Sequence, residues 1–265
     1  MKVIFIGDVV GSPGRRLLAD ALPALRRAHG ADFTIVNGEN AAGGHGLTAK
    51  IAAEFFSLGV DVITSGNHIW DQKEIYAFLD EEPRVLRPHN YPPTVPGTGI
   101  ARIDKGDGRK LAVLNLQGRV FMPPTDCPFR IADQALDSLA GWPVFVDFHA
   151  EATSEKKAMG HYLDGRAIAC VGTHTHVPTA DETVLPGGTA YQTDAGMTGS
   201  FDSSLGCTWD SVLPKFLTGL PSRFQVAEDD LRLCGLVVTY DSQMLVATDV
   251  LRLMVKDGDV SSLEG

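Results

Sequence analysis

Short apolar runs punctuate this chain, and most of them end in a polar, glycine-containing turn. Lys2–Gly7 leads into Asp8–Gly14, Phe33–Val36 into Asn37–Gly46, and Val60–Thr64 into Ser65-Gly66-Asn67-His68. Apolar runs of this length bounded by turn residues predict buried strands. The segments after the turns change period. Leu17, Leu18, Leu22 and Leu25 fall at helical spacing within Arg15–Arg27, and His29 before Gly30 reads as the helix C-terminus. Thr48 is placed to cap a helix over Thr48–Leu58, and a third helical stretch covers Asp71–Leu79.

The pattern shifts further along. A hairpin signal at Lys105-Gly106-Asp107-Gly108 precedes the run Leu111–Leu116. Val144–Phe148 runs into His149, and Ala167–Val171 runs into Gly172-Thr173-His174-Thr175-His176. The last third has more β character, with Glu182–Ala190 turning at Pro186-Gly187-Gly188, then Leu231–Tyr240 and Gln243–Leu253. Alternating β and α units followed by hairpins predict mixed sheets covered by helices. With no Ser/Gly linker, charge block or internal repeat, a single domain over residues 1–265 is expected. The proline-rich Arg87–Thr98 is a candidate lid or interface loop.

Composition narrows the function classes. At 265 residues and 44% hydrophobic the chain can bury a sizeable core. No apolar stretch approaches the roughly 20 residues of a spanning helix, and Asp8 arrives too early for a signal-peptide core. A cytoplasmic protein without membrane contact is the expectation. Cys127, Cys170, Cys207 and Cys234 are scattered with no CxxC, which argues against disulfides and a thiolate zinc site. A formal charge of −10 repels long polyanions, so no long nucleic acid is expected as a partner. A small phosphate substrate would need local positive charge, which bound metal cations supply.

Carboxylates, amides and imidazoles recur where the apolar runs stop: Asp8, Glu39 with Asn40, Asn67 with His68, His149, and His174 with His176. Ligands of open α/β sheets gather at the carboxyl ends of strands, so these groups can converge. Oxygens mixed with imidazoles suit a first-row transition metal better than calcium or a cysteine-rich zinc site. Setting His68 aside, seven candidate ligands exceed the needs of one tetrahedral ion and match two ions sharing a carboxylate, the arrangement that clamps a phosphoryl displacement. Each piece also has an ordinary explanation: Asp8 could cap the next helix, Asn67-His68 could be a turn with a satisfied histidine, His149 could be structural, and Glu39-Asn40 could be loop polarity. The His174/His176 pair is the strongest single signal, and the joint pattern is more specific than any part. Gly7, Gly11 and Gly14 match neither phosphate-loop spacing. Ser12 and Ser200 have no evident activating base, against a serine hydrolase. His45, His89 and His161 read as loop or surface residues, with His45 near enough to Glu39 to line a pocket.

In this order, Gly7-Asp8, Gly38-Glu39-Asn40, Gly66-Asn67-His68, His149 and Gly172-Thr173-His174-Thr175-His176 resemble the calcineurin-like metallophosphoesterases. The longer blocks IGDVVGSPGR, NGENAAGGHG, TSGNHIWD, FHAEATSEK, VGTHTHVPTAD and TDAGMTGSFDS resemble its bacterial YmdB-like branch of 2′,3′-cyclic-nucleotide phosphodiesterases. That resemblance implies an α/β (α+β) fold, a four-layer αββα sandwich of two mixed sheets flanked by helices. It implies a first metal held by Asp8, Glu39, Asn40 and His176, and a second by Glu39 as bridge, Asn67, His149 and His174. The ions would be divalent or trivalent transition metals, with iron or manganese favoured over zinc. His68 resembles the proton donor, and a metal-bridging hydroxide would attack phosphorus in a small phosphoester, a cyclic nucleotide at branch level. Two departures from the wider superfamily stand out: Val10 occupies the place of a ligating histidine, and Glu39 that of the bridging aspartate. The resemblance implies that Asn40 substitutes for the missing imidazole. Other readings are a phosphomonoesterase or phosphoprotein phosphatase, and a metal-holding regulator that acts without turnover. Tyr91-Pro92-Pro93 is the candidate apolar surface for a homo-oligomer.

Overall fold

Strand parity decides the layers. In a computed structural model of the chain, which describes residues 1–264 and so all of the expected single-domain span except Gly265, the chain-order elements are as follows. β1 (Lys2–Ile6), β2 (Asp8–Val9), α1 (Gly11–His29), β3 (Phe33–Asn37), α2 (Ala49–Ser57), β4 (Val62–Thr64) and α3 (Ile75–Glu81) form the first part. β5 (Ile100–Asp104), β6 (Lys110–Gln117), α4 (Pro128–Ser138), β7 (Val144–His149), α5 (Thr153–Tyr162), β8 (Ala169–Thr173), β9 (Thr183–Val184) and β10 (Ala190–Gln192) follow. β11 (Met197–Ser200), α6 (Trp209–Thr218), β12 (Leu231–Asp241) and β13 (Val246–Lys256) return the chain to the first sheet.

The first sheet runs β2-β11-β12-β1-β3-β4 with β13 beside β12, and the second runs β5-β6-β7-β8-β10-β9. Successive side chains of a strand point to opposite faces, and each strand here splits accordingly. Val3 and Phe5 of β1, Phe33 and Ile35 of β3, Val113 of β6, Phe145 of β7 and Val171 of β8 share one core between the sheets. The Phe5 and Phe145 rings stack across it with centroids 5.2 Å apart. The alternate residues Ile4, Ile6 and Val36 meet α1 and α2 through Leu18, Leu22 and Phe55. On the far side, Leu114, Val146 and Phe148 meet Ala132 of α4 and Met159 of α5. Three apolar layers thus give helices, sheet, sheet, helices: the four-layer αββα sandwich of two mixed sheets.

Thr48 caps α2, its Oγ1 accepting from the Ile51 N–H at 3.2 Å. Gly30 takes the left-handed conformation after His29, a C-terminal stop that favours glycine. Asp8 does not cap α1, whose N-cap is Val10 with no side-chain bond. Three helices, α4 to α6, lie outside the elements that the pattern predicts. Arg87–Thr98 is no free-standing lid: Arg87 is buried with Nη1 donating to the Pro88 carbonyl at 2.8 Å, and Asn90 is tied to Gln117. Tyr91 is half-buried, its hydroxyl donating to Gln117 Oε1 and its ring in T-shaped contact with Trp70, while Pro92 and Pro93 beside it are exposed. His89 is half-buried rather than superficial. Among the described residues no helix is long and apolar enough to cross a membrane.

β1, β3 and β4 run parallel, as do β6, β7, β8 and β10, so both sheets bring carboxyl ends to one rim. Because that rim depends on the inter-sheet core, Phe145→Ala is expected to destabilise the fold by about 3–5 kcal/mol. Denaturant unfolding would register this as a lowered midpoint at unchanged m-value; an unchanged midpoint would contradict the role given to this layer.

Candidate active site

Each polar residue singled out in the sequence sits at the end of a strand on the shared rim. Asp8 begins β2, beyond the β1 end; Glu39 and Asn40 follow β3; Asn67 and His68 form a 3-10 turn after β4; His149 ends β7; His174 and His176 follow β8. Close backbone approach explains two glycines. A Cβ at Gly66 would collide with the His149 ring, and one at Gly7 with the Gly196 carbonyl.

The second sheet's histidine is the hub. His149 Nε2 lies 3.0 Å from Glu39 Oε1, 3.2 Å from Asn67 Oδ1 and 3.0 Å from His174 Nδ1. A ring nitrogen carries at most one proton, so it can satisfy only one of three acceptors. Beside this group, His176 Nε2 lies 3.1 Å from Asn40 Nδ2 and 4.0 Å from Asp8 Oδ1. The His174 N–H donates to Asp8 Oδ2 at 3.3 Å, and the His68 N–H donates to Glu39 Oε2 at 3.2 Å. The structure therefore brings Asp8, Glu39, Asn40, Asn67, His149, His174 and His176 together. Val10 does not join them; buried, it packs on Gly199 and Gly206.

The outer ring atoms fix which nitrogens face inward. Thr173 Oγ1 donates to Asp147 Oδ1 at 2.7 Å and so accepts from His149 Nδ1 at 2.9 Å. His174 Nε2 donates to Glu151 Oε2 at 3.2 Å, and His176 Nδ1 donates to the Leu205 carbonyl at 3.0 Å. Three imidazoles thus commit one N–H outward and face the carboxylates with the other ring nitrogen, the one a metal would take once it is free of its proton.

Electrostatics point the same way. Burial drives the Asp8 carboxyl well above its usual range, and the carboxylates of Glu39 and Asp194 add to the push against His149. Burial alone would also raise Glu39, but the adjacent His149, by charge and hydrogen bond, holds it at about 2. His149 rises to about 9 because Glu39 and then Asp8 overcome the burial that disfavours its charge. Burial, then the His149 charge, lowers His174 to about 3, and burial lowers His176. Asp8 Oδ1 is buried with no hydrogen-bond partner. An orphaned carboxylate oxygen and inward lone pairs are what a cation would satisfy. Glu39, Asn67, His149 and His174 could hold one ion; Asp8, Glu39, Asn40 and His176 could hold another, with Asn40 turning Oδ1 inward by a half-turn of its amide. Glu39, His149 and His174 present donor atoms within 4.8 Å of one another.

His68 stands apart from this group. Its Nδ1 donates to Asp71 Oδ2 at 2.8 Å, and its ring lies 4.9 Å from that of His45. Both histidines line a cavity of about 410 Å³ with Glu39, His174 and His176 on its floor and Val212, Phe216 and Phe224 on one wall.

Pattern reading missed the residues that hold the histidine loop. His174 and His176 have φ of 99° and 66°, a region that costs non-glycine residues about 1–3 kcal/mol. Asp194 Oδ2 restrains them by accepting the Thr175 N–H at 3.2 Å and its hydroxyl at 2.8 Å. Lys156 in turn donates to Asp194 at 2.6 Å, both side chains being 1% exposed. Only the place of Asp194, in the polar run after the last strand of the second sheet, could have signalled it.

Comparison with known proteins agrees with this geometry. The family described as "YmdB-like protein" matches residues 4–253. The chain is 51% identical over 259 residues to the 2′,3′-cyclic-nucleotide 2′-phosphodiesterase of Bacillus subtilis (strain 168), covering 97% of this chain and 98% of that protein. The crystal structure titled as a novel phosphatase from Mycoplasma pneumoniae superposes with a TM-score of 0.91 at 33% identity, covering 97% of this chain and 93% of that one. The crystal structure of a hypothetical protein from Thermus thermophilus gives 0.89 at 44% identity, covering 97% of this chain and 99% of that chain. On the motifs, the rim geometry and these matches, the chain belongs to the YmdB-like family of metallophosphoesterases.

Proposed function

We propose that this protein is a dinuclear metal-dependent phosphodiesterase acting on small cyclic phosphodiesters, 2′,3′-cyclic nucleotides foremost. The observation that carries the reading is the convergence of three inward-facing imidazole nitrogens on two buried carboxylates, one with an orphaned oxygen. The name of the Bacillus subtilis relative supplies the substrate class. The site takes groups from both sheets, which supports one domain for the whole chain. Mixed oxygen and nitrogen donors favour iron or manganese.

When bound, a cation pair supplies Lewis acidity and lowers the pKa of water toward neutrality. The chain's own residues do the rest. Asp8, Glu39, Asn40, Asn67, His149, His174 and His176 are the ligands, the three imidazoles oriented by Thr173, Glu151 and the Leu205 carbonyl. His68 delivers the proton to the leaving oxygen. Its Nδ1–H is committed to Asp71, so the transferred proton leaves from Nε2 of the imidazolium. The structural likeness to the Mycoplasma pneumoniae phosphatase favours one second reading, a phosphomonoesterase. Rates on cyclic nucleotides beside mononucleotides separate the two.

His68→Asn is expected to keep its full metal content while kcat falls about 10²- to 10⁴-fold. Turnover at the wild-type rate would remove His68 from the mechanism. Exhaustive chelation is expected to abolish hydrolysis of 2′,3′-cyclic nucleotides, with Mn²⁺ or Fe²⁺ restoring it. Full activity in protein shown to be metal-free would refute the dinuclear reading.

A further inference from the structure

The cavity has a second chemical character that the ligand cluster does not use. Its floor is polar, but the wall contributed by α6 and the segment after it is apolar and aromatic. Val212, Lys215 and Phe216 line it from one helix face, as residues spaced by three and four do. Phe224 joins them from the following segment, which is pinned by the Thr208 N–H donating to the Gln225 carbonyl at 2.8 Å. Val212 is 3% exposed and anchors the helix, whereas Phe216 is 78% exposed and Phe224 36%. Lys215 Nζ sits 5.1 Å from the Phe224 ring centroid, within reach of a cation–π contact. Among the described residues Lys215 is the one lysine or arginine on this cavity.

Two accessible phenyl rings beside one ammonium form a surface for a flat, electron-rich ring with acceptor atoms at its edge. The wall opens on the same cavity as His68, so a group held there is within reach of a phosphoester on the floor. We propose that the α6 wall is the nucleobase subsite, with Phe216 and Phe224 as stacking faces and Lys215 at the base's edge. This rests on the phosphodiesterase reading above. Stacking is tolerant of base identity because every base has a π face, so the subsite selects nucleotides over base-less phosphodiesters rather than one base over another. The wall is tied to the ligand cluster: the turn entering α6 carries the Leu205 carbonyl that orients His176.

The test compares 2′,3′-cyclic AMP with glycerol 1,2-cyclic phosphate, the same strained ring without a base, in wild-type and variant holoenzyme of equal metal content. Phe216→Leu and Phe224→Leu should each lower the ratio of kcat/KM for the nucleotide over the base-less ester by roughly 5- to 150-fold. Phe216→Tyr, which keeps the ring, should hold the wild-type ratio. In parallel, calorimetry should show the Kd for adenosine 3′-monophosphate weakening in Phe216→Leu, with ribose 5-phosphate shifted less. A ratio that stays at the wild-type value in both leucine variants, or a nucleotide Kd that does not move, overturns the subsite. Retention of nucleotide selectivity by leucine would mean an apolar wall without stacking, which also overturns it. If wild type hydrolyses neither ester while the calorimetric difference persists, the subsite stands and the phosphodiesterase reading falls.

Discussion

Inward-facing ring nitrogens on buried imidazoles are the constraint around which the rim is organised. His149, His174 and His176 each give one N–H to an outer acceptor, namely Thr173 Oγ1, Glu151 Oε2 and the Leu205 carbonyl. Their remaining nitrogens meet Asp8, Glu39, Asn40 and Asn67 where no proton can serve every contact. Buried carboxylates without matching charge are costly, and the protonated His149 is the local substitute. Bound cations remove the conflict. The constraint reaches back to the fold, because Asp8, Glu39 and Asn67 come from one sheet and the imidazoles from the other. The inter-sheet layer brings them together, with Phe5 stacked on Phe145 and Asn37 Nδ2 of β3 donating to Asp147 Oδ2 of β7 at 3.1 Å.

Backbone strain is the second element of this design. The loop after β8 passes through two histidines at positive φ, with the His174 ring set against His149 and the His176 ring against Asn40 and Asp8. Such a conformation persists only where its surroundings over-determine it. Asp194 does so from below, and Lys156 neutralises Asp194 in a setting from which water is excluded. Loss of either partner would leave an uncompensated buried charge, costing about 3–5 kcal/mol, and would free the loop that carries two ligands.

Much of this was legible in the chain. Short apolar runs ending in Asp8, Glu39-Asn40, Asn67-His68, His149 and the 174/176 pair mark both the strands and their functional ends, because parallel strands deliver their carboxyl termini to one side. The helices α4 to α6 were not legible for local reasons. Thr153–Tyr162 carries few apolar residues, and Trp209–Thr218 contains Pro214 and exposes Leu213, Phe216 and Leu217. Lys156 stands beside Lys157 in Ser154-Glu155-Lys156-Lys157, a run with no local sign of burial, yet it is buried and donates to a partner 38 residues away. Tyr91 looked exposed beside two prolines and is instead tied down by Gln117. Pairings of this kind depend on which elements meet, and local pattern carries no record of that.

The central claim concerns where cations sit, and anomalous X-ray diffraction locates them without reference to turnover. Crystals of protein loaded with Mn²⁺ or Fe²⁺, measured on either side of the metal absorption edge, should give two neighbouring peaks. One should lie among Glu39, Asn67, His149 and His174, the other among Asp8, Glu39, Asn40 and His176. An anomalous map that is featureless at this rim, or that places the metal against other residues, would contradict the account.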